Sequence, residues 1–490
     1  MYLGLDLGTS ELKAVILAPD HRIVAQASAP LSARNPRPLW SEQDPADWVE
    51  ALAAVCDKLA AAHPQDMAAV RGIGLAGQMH GAVLLDGADQ VLRPAILWND
   101  GRSAAQCRAL DAAMPSAPAV TGNYAMPGFT APKLLWVREH EPEIFAQVRT
   151  VLLPKDYLRL VLSGDKVTDC SDASGTFWFD IAARGWSPAM LAAGGMEVRQ
   201  MPRVIEGSAA SGTLRASWAR RWGMRDSVVI AGGGGDNAAS AVGMGIVAAG
   251  QGIVSLGTSG VIFLVSNGFA PNPPAAIHAF CHALAGTWHQ MSVMLSAASC
   301  LRWVTNLTGR GSEAELLAEV ETMGPDERAV APVFLPYLSG ERTPHNDPAA
   351  QAGFVGLTRR HGPAALGYAV IEGVGFGLRD GLASLAGAGG APAELLLAGG
   401  GSRSPVWSQL LADILGLPLV LAEGSETAGA RGAARLAWLA DGGDMAQACA
   451  APVVVRRISP GAGQTAALDR RFATFRAAYP ALRPLAASGG

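Results

Sequence analysis

Only six cysteines occur in 490 residues, none in a CxxC pair, which is too few for a disulfide scaffold and suits a reducing cytoplasm. The five lysines (Lys13, Lys58, Lys133, Lys155, Lys166) all lie within the first 166 residues and none follows a glycine. The Gly-Lys-Ser/Thr loop of P-loop nucleotide binding is therefore excluded. Charge is also scarce: 16% of residues are charged, and 38 basic against 42 acidic side chains leave a net −4. That balance offers no field for nucleic acid or an anionic membrane, so the expected partner is a small molecule. No run of about 18 apolar residues is free of charge and glycine, which excludes a spanning helix. Met1-Tyr2-Leu3-Gly4-Leu5-Asp6 lacks a basic n-region, so no export signal is expected and the expected location is cytoplasmic.

What is abundant is apolar surface, 50% of residues, and glycine, 58 residues. The length exceeds what one core fills, so two domains or more are expected. A short repeat points the same way. Leu5-Asp6-Leu7-Gly8-Thr9-Ser10 opens the chain, and Val254-Ser255-Leu256-Gly257-Thr258-Ser259 recurs past the midpoint, each flanked by apolar strands as in a β-hairpin. Helical periodicity over 44–62, 364–385 and 406–415 alternates with short apolar runs such as Val228-Val229-Ile230-Ala231 and Leu395-Leu396-Leu397-Ala398. The expected class is α/β, with a boundary near 243–252 dividing the chain into 1–245 and 246–490. The tail 486–490 is expected to fray.

The glycines carry the chemistry. Gly72-Ile73-Gly74-Leu75-Ala76-Gly77 matches GxGxxG, but its glycines sit inside the apolar run and no acid follows about 20 residues on, so a dinucleotide site is poorly supported. A pair of hairpin turns offering backbone N–H groups and Thr/Ser hydroxyls to phosphate oxygens fits better. Asp6 beside the first turn is a hard oxygen donor suited to Mg²⁺ or its waters; Ser255 stands at the equivalent place in the second. Two strand–glycine–helix junctions follow, at 231–237 and 398–404. Asp236 ends the first and reads either as a helix N-cap or as a catalytic carboxylate. The second, with no acid, suits a nucleotide. His278, Cys281, His282 and His289 could be drawn as a metal cluster, but the alternation around them reads as a strand.

These residues resemble the actin-like ATPase superfamily and, within it, the FGGY carbohydrate kinases. The resemblance is carried by Asp6-Leu-Gly-Thr-Ser10, Pro38-Leu-Trp-Ser-Glu-Gln-Asp-Pro45, Gly77-Gln-Met-His-Gly81, Leu97-Trp-Asn-Asp-Gly-Arg102 and Gly340-Glu-Arg-Thr-Pro344, and it extends to about residue 440. It implies two ribonuclease-H-like domains flanking a deep catalytic cleft, with sugar held mainly by the N-terminal one and ATP mainly by the C-terminal one. The implied reaction is ATP-dependent phosphorylation of D-xylulose at its 5-hydroxyl. By the same resemblance Asp236 is the general base and Asp6 its catalytic partner. Met79, His80, Asp236, Asn237 and Trp40 contact the sugar, and Thr9, Ser10, Gly257, Thr258, Gly400, Gly401 and Ser404 hold the nucleotide. Mg²⁺ falls to Asp6, through water, and to Asp236. A homodimer is compatible with the resemblance.

Rival readings are a kinase for another ketose or polyol, an actin-like ATPase acting as a sensor or binding protein, and a dehydrogenase resting on 72–77 alone. His80 also reads as a buried structural histidine and Met79 as core. Glu341-Arg342 reads as a domain-bracing ion pair, and Trp98 and Trp178 as packing. Two departures from the family pattern stand out. One is an additional glycine before Asp236. The other is Arg431 where an apolar residue is expected, which puts packing near the adenine in doubt.

Overall fold

A computed structural model of the chain describes residues 1–385, 390–463 and 465–487. The first sheet uses β1 (Tyr2–Leu7), β2 (Glu11–Leu17), β3 (Ile23–Pro30), β4 (Gly72–Gly77), β5 (Ala210–Thr213) and β6 (Val229–Ala231). Their spatial order is β5-β6-β4-β1-β2-β3, with Gly234–Gly235 as a short extra strand on β4. The second sheet uses β7 (Gly252–Leu256), β8 (Gly260–Ser266), β9 (His278–Cys281), β10 (Trp288–Met294), β11 (Leu395–Ala398), β12 (Leu419–Ala422) and β13 (Val454–Ile458). Its order is β9-β10-β8-β7-β11-β12-β13.

Superposed on their Leu-Gly-Thr-Ser turns, the two sheets have one topology. In each, the hairpin strand (β1 or β7) pairs antiparallel with its partner and parallel with the strand on its other side, β4 or β11. A second parallel strand and an antiparallel edge strand then follow, β6 and β5 in one, β12 and β13 in the other. This duplicated mixed sheet is the ribonuclease-H-like, actin-like ATPase architecture, so the short repeat marks a true structural repeat.

Helices form where their sequences direct. In α1 (Pro45–Ala62) the Asp44 carboxylate accepts from the Ala46 N–H, and proline fills the first turn, where its missing N–H costs nothing. The other helices that matter to the site are α2 (Pro154–Ser163), α3 (Asp236–Gly243), α4 (Pro363–Ser384), α5 (Pro405–Leu415) and α6 (Ala428–Ala440). The expected spans 364–385 and 406–415 are thus α4 and α5, each beginning one residue earlier at a proline.

Although α6 lies late in the chain, it packs on the first sheet. A Cβ at Gly4 would come within 1.8 Å of the Ala430 carbonyl, and one at Gly74 within 1.8 Å of the Ala433 carbonyl. Gly72 and Gly74 therefore serve a helix, and the whole 72–77 run is strand β4 rather than a phosphate-binding turn. Helices α3 and α6 also cross backbone to backbone, a Cβ at Gly432 falling 1.7 Å from the Ala239 carbonyl. These two helices join the halves. Among the described residues no helix is long and apolar enough to cross a membrane. Of the tail expected to fray, 486 and 487 end the last helix (Thr465–Ala487), and 488–490 lie outside the described residues.

Candidate active site

Asp236 is the first residue of α3, and Gly235, not Asp236, occupies the N-cap position. The acid is therefore not spent on capping; its Oδ1 accepts from the Asn237 N–H at 2.7 Å and from Asn237 Nδ2 at 2.8 Å. The preceding glycines are required by close approach. At Gly233, with φ 75°, a Cβ would meet the Leu75 carbonyl at 2.1 Å, and at Gly235 one would meet Met79 Sδ at 2.8 Å. Met79 is buried beneath this loop, so its core-like packing is also what supports the Asp236 strand-to-helix turn.

Asp6 is the last residue but one of β1 and lies within reach of the Asp236 charge. The α6 helix passes so close that a Cβ at Gly429 would lie 2.2 Å from Asp6 Oδ2. Burial, then the charge of Asp236, pushes the Asp6 carboxyl up to about 7; burial pushes Asp236 up to about 6 against the two Asn237 hydrogen bonds. Among the described residues no donor hydrogen-bonds the Asp6 carboxylate or Oδ2 of Asp236. Two mutually repelling, under-satisfied carboxylates are a hard-oxygen donor set that fits Mg²⁺.

His80 lies just beyond the first sheet: β4 ends at Gly77, and 78–81 turn with His80 at φ 70°. The turn is clamped, since the His80 carbonyl accepts from Thr130 Oγ1 at 3.1 Å and Lys133 Nζ at 2.9 Å. Its Nδ1–H donates to the Gly175 carbonyl at 2.7 Å, and burial lowers its pKa to about 3, so the ring is neutral and Nε2 is an acceptor. Phe129 and Phe280 wall it in, with ring centroids at 5.1 and 6.3 Å.

Thr9, expected at the nucleotide, has its hydroxyl committed elsewhere: it donates to Gln78 Oε1 and accepts from Trp98 Nε1, both at 3.0 Å. Trp98 is thus not a packing residue; it is 49% exposed, whereas Trp178 is buried. Gln43 extends this polar chain by accepting from Gln78 Nε2 at 2.8 Å and donating to the Thr9 carbonyl at 2.7 Å. Both glutamines lie inside the quoted motifs, and a buried amide at a strand end was the signal that could have singled them out. Ser10 is exposed at the turn. Trp40 packs on the apolar cluster that contains Met79, edge-on to Trp136 and under the Arg102 guanidinium at 3.7 Å.

On the other side, Thr258, Gly400, Gly401 and Ser404 line one cavity of about 660 Å³, together with Ala298 and Leu317. Ser404 caps α5 by accepting from the Trp407 N–H, and the Gly257 carbonyl accepts from Ala298. A second cavity of about 520 Å³ shares Gly400 and Arg403 with the first and ends against Asn237, beside Asp236. The two cavities thus meet at Gly400 and Arg403, and the second reaches the chain neighbour of the acid.

Glu341 and Arg342 do not pair with each other. The Glu341 carboxylate accepts from the N–H groups of Leu295 and Arg342, while the Arg342 guanidinium donates to His278 Nε2 at 2.9 Å. His278 Nδ1–H donates in turn to Asn123 Oδ1 at 2.9 Å. This relay crosses from the second half to the first. His278 belongs to strand β9, and His282 and His289 are buried next to it. Arg431 lines neither cavity and is folded over Gly424, with Nη1 3.4 Å from the Glu423 carbonyl.

The N-terminal domain model of the FGGY family of carbohydrate kinases matches residues 1–243, and the C-terminal one matches 252–440. A xylulose kinase from Escherichia coli (strain K12) is 50% identical over 490 residues, covering 99% of this chain and all of that protein. One from Klebsiella pneumoniae is 53% identical, covering 90% of each. The crystal structure of a xyloylose kinase from Brucella ovis superposes with a TM-score of 0.96 at 49% identity, covering 99% of both chains.

Proposed function

This chain belongs to the FGGY family of carbohydrate kinases, and we propose that it transfers the γ-phosphoryl group of ATP to the 5-hydroxyl of D-xylulose. The observation that carries this reading is the cavity path. It runs from Thr258 and Gly401 past Gly400 to Asn237, the chain neighbour of Asp236, and Met79 packs under the Gly235 turn that delivers that acid. Adenosine takes the larger cavity, where backbone N–H groups of the 399–401 loop and the start of α5 face its phosphates. Sugar takes the space beside Met79 and His80, so residues 1–245 act as the mainly sugar-binding domain and 246–490 as the mainly ATP-binding one.

In phosphoryl transfer a protein mostly positions groups and neutralises charge. Asp236 orients the 5-hydroxyl and accepts its proton late, a role for which a carboxylate raised to about 6 is well matched near neutral pH. The neutral His80 offers Nε2 to a sugar hydroxyl, and Asn237 keeps the Asp236 carboxylate from rotating. Asp6, through water, and Asp236 would hold Mg²⁺, which when bound neutralises the triphosphate. Closure of the two halves excludes water as a competing acceptor. The reading places the enzyme in the cytoplasm, with D-xylulose and ATP as its partners and neither nucleic acid nor membrane, and it is compatible with a homodimer.

The test is ADP formation with ATP and Mg²⁺ across D-xylulose, D-ribulose, L-ribulose, D-fructose, glycerol and no sugar. D-xylulose is expected to give the highest kcat/KM. Asp236→Asn is expected to lose roughly 10³-fold in kcat while still binding ATP. Preference for another sugar overturns the substrate, and an active Asp236→Asn overturns the base.

A further inference from the structure

The loop that delivers Asp236 has no side chain of its own from Gly232 to Gly235, and it is held from outside. Where it begins, the Arg159 guanidinium of α2 donates to the Gly232 carbonyl. Where it ends, the Gly235 N–H donates to Ser171 Oγ at 3.1 Å. The Ser171 hydroxyl donates in turn to Asp169 Oδ2 at 2.5 Å, and Asp169 Oδ1 lies 2.8 Å from Lys155 Nζ. Lys155 also reaches Asp156 at 2.6 Å and Asp172 at 3.3 Å, and Arg159 reaches Asp156 at 2.8 Å. Every one of these side chains is fully buried.

Such a cluster is a poor source of net stability, because desolvating several charges offsets most of their mutual attraction. Burial holds the Asp172 carboxyl well above the usual range, against the pull of the Lys155 charge. What the cluster delivers is direction: it aims one guanidinium and one hydroxyl at the two ends of a glycine loop. Glycine backbones have the most conformational freedom to lose, and a misplacement of about 1 Å in a reacting group costs on the order of 10²-fold in rate.

We propose that Ser171 and Arg159 are positioning residues for the phosphoryl transfer, fixing the Gly232–Gly235 path so that the Asp236 carboxylate stands at the acceptor hydroxyl. The inference rests on the reading of Asp236 as the base, and the test separates the two. Ser171→Ala, Asp236→Asn and the double variant are compared under single-turnover conditions, with KM for both substrates and Tm. Ser171→Ala is expected to lower kcat about 10-fold to 100-fold, with KM for ATP within about two-fold and Tm within a few degrees. In the Asp236→Asn background the same change is expected to cost nothing further, because Ser171 acts through a carboxylate that is no longer there. Ser171→Cys, which keeps the size and weakens the hydrogen bond, is read the same way should the alanine variant fail to fold. A wild-type kcat in the Ser171 variants overturns the inference. So does a loss that multiplies with that of Asp236→Asn, since a general loosening of the fold would act on both backgrounds. An active Asp236→Asn overturns the base itself, whatever Ser171 does.

Discussion

The same face of the same sheet is filled in one half and open in the other. On the first sheet Gly4 and Gly74 are register partners, and α6 lies on them. At the corresponding places on the second sheet Ile253 pairs with Leu396, and both line the 520 Å³ cavity that separates them from α3. Helices α3 and α6 are themselves counterparts, each following the second parallel strand of its half. Two residue pairs thus make a duplicated fold asymmetric: glycines seat one connecting helix, whereas larger side chains hold the other away and leave room for a ligand. The acids follow the same logic. Asp6 lies under the seated helix, and Ser255, its counterpart, faces the open cavity with no charge to repel a triphosphate.

The largest expected effect comes from breaking the filled side. Gly4→Ala forces a methyl group into the Ala430 carbonyl, at the severe end of overpacking, and is expected to cost about 3 kcal/mol or more. The matching change on the open side, Ile253→Ala, removes atoms next to an existing cavity and is expected to cost about 1 kcal/mol. Urea unfolding of both variants checks the contrast; equal losses would mean that α6 is no more firmly seated than α3.

A smaller effect is expected at Asp6. Its folded pKa, about 7, stands above the ordinary 3.8, so the native state binds its proton more tightly than the unfolded chain does. The stabilisation from that proton is full below about pH 4 and is lost as pH rises through 7. Without metal, Asp6→Asn should match wild type in Tm near pH 4 and exceed it by a few degrees at pH 8. With Mg²⁺ and ATP at pH 8, the wild type should regain the difference and the variant should not. Parallel Tm curves across this range would show that Asp6 carries no buried charge.

Much of this was legible in the sequence. The repeated turn is a local motif with apolar flanks, so it announced both hairpins and the duplicated sheet. The placing of Asp236 at a strand-to-helix turn was legible because four glycines precede an acid, and the lining of the larger cavity because Gly400, Gly401 and Ser404 are neighbours in the chain. The rest depends on distant partners. Thr9 looked like a phosphate donor until Gln78 and Trp98, 69 and 89 residues away, were seen to occupy its hydroxyl. Glu341 and Arg342 are adjacent and opposite in charge, yet the Glu341 carboxylate takes backbone N–H groups and the Arg342 guanidinium takes His278. The 72–77 run has the spacing of a nucleotide loop, but Gly72 and Gly74 answer to a helix more than 350 residues downstream.

Arg431 sharpens the comparison at its finest level. It is carried by α6, the seated helix, and its guanidinium turns over Gly424 with Nε buried and, among the described residues, unpartnered. Since it lines neither cavity, Arg431→Leu is expected to leave KM for ATP within about two-fold, and to move stability by less than about 1 kcal/mol, because the lost hydrogen bond to Glu423 is offset by relief of the buried Nε. Steady-state kinetics at varied ATP checks the first point and urea unfolding the second. A five-fold rise in KM would mean that α6 shifts with the nucleotide, and that its seating on Gly4 and Gly74 is not the fixed side of the molecule.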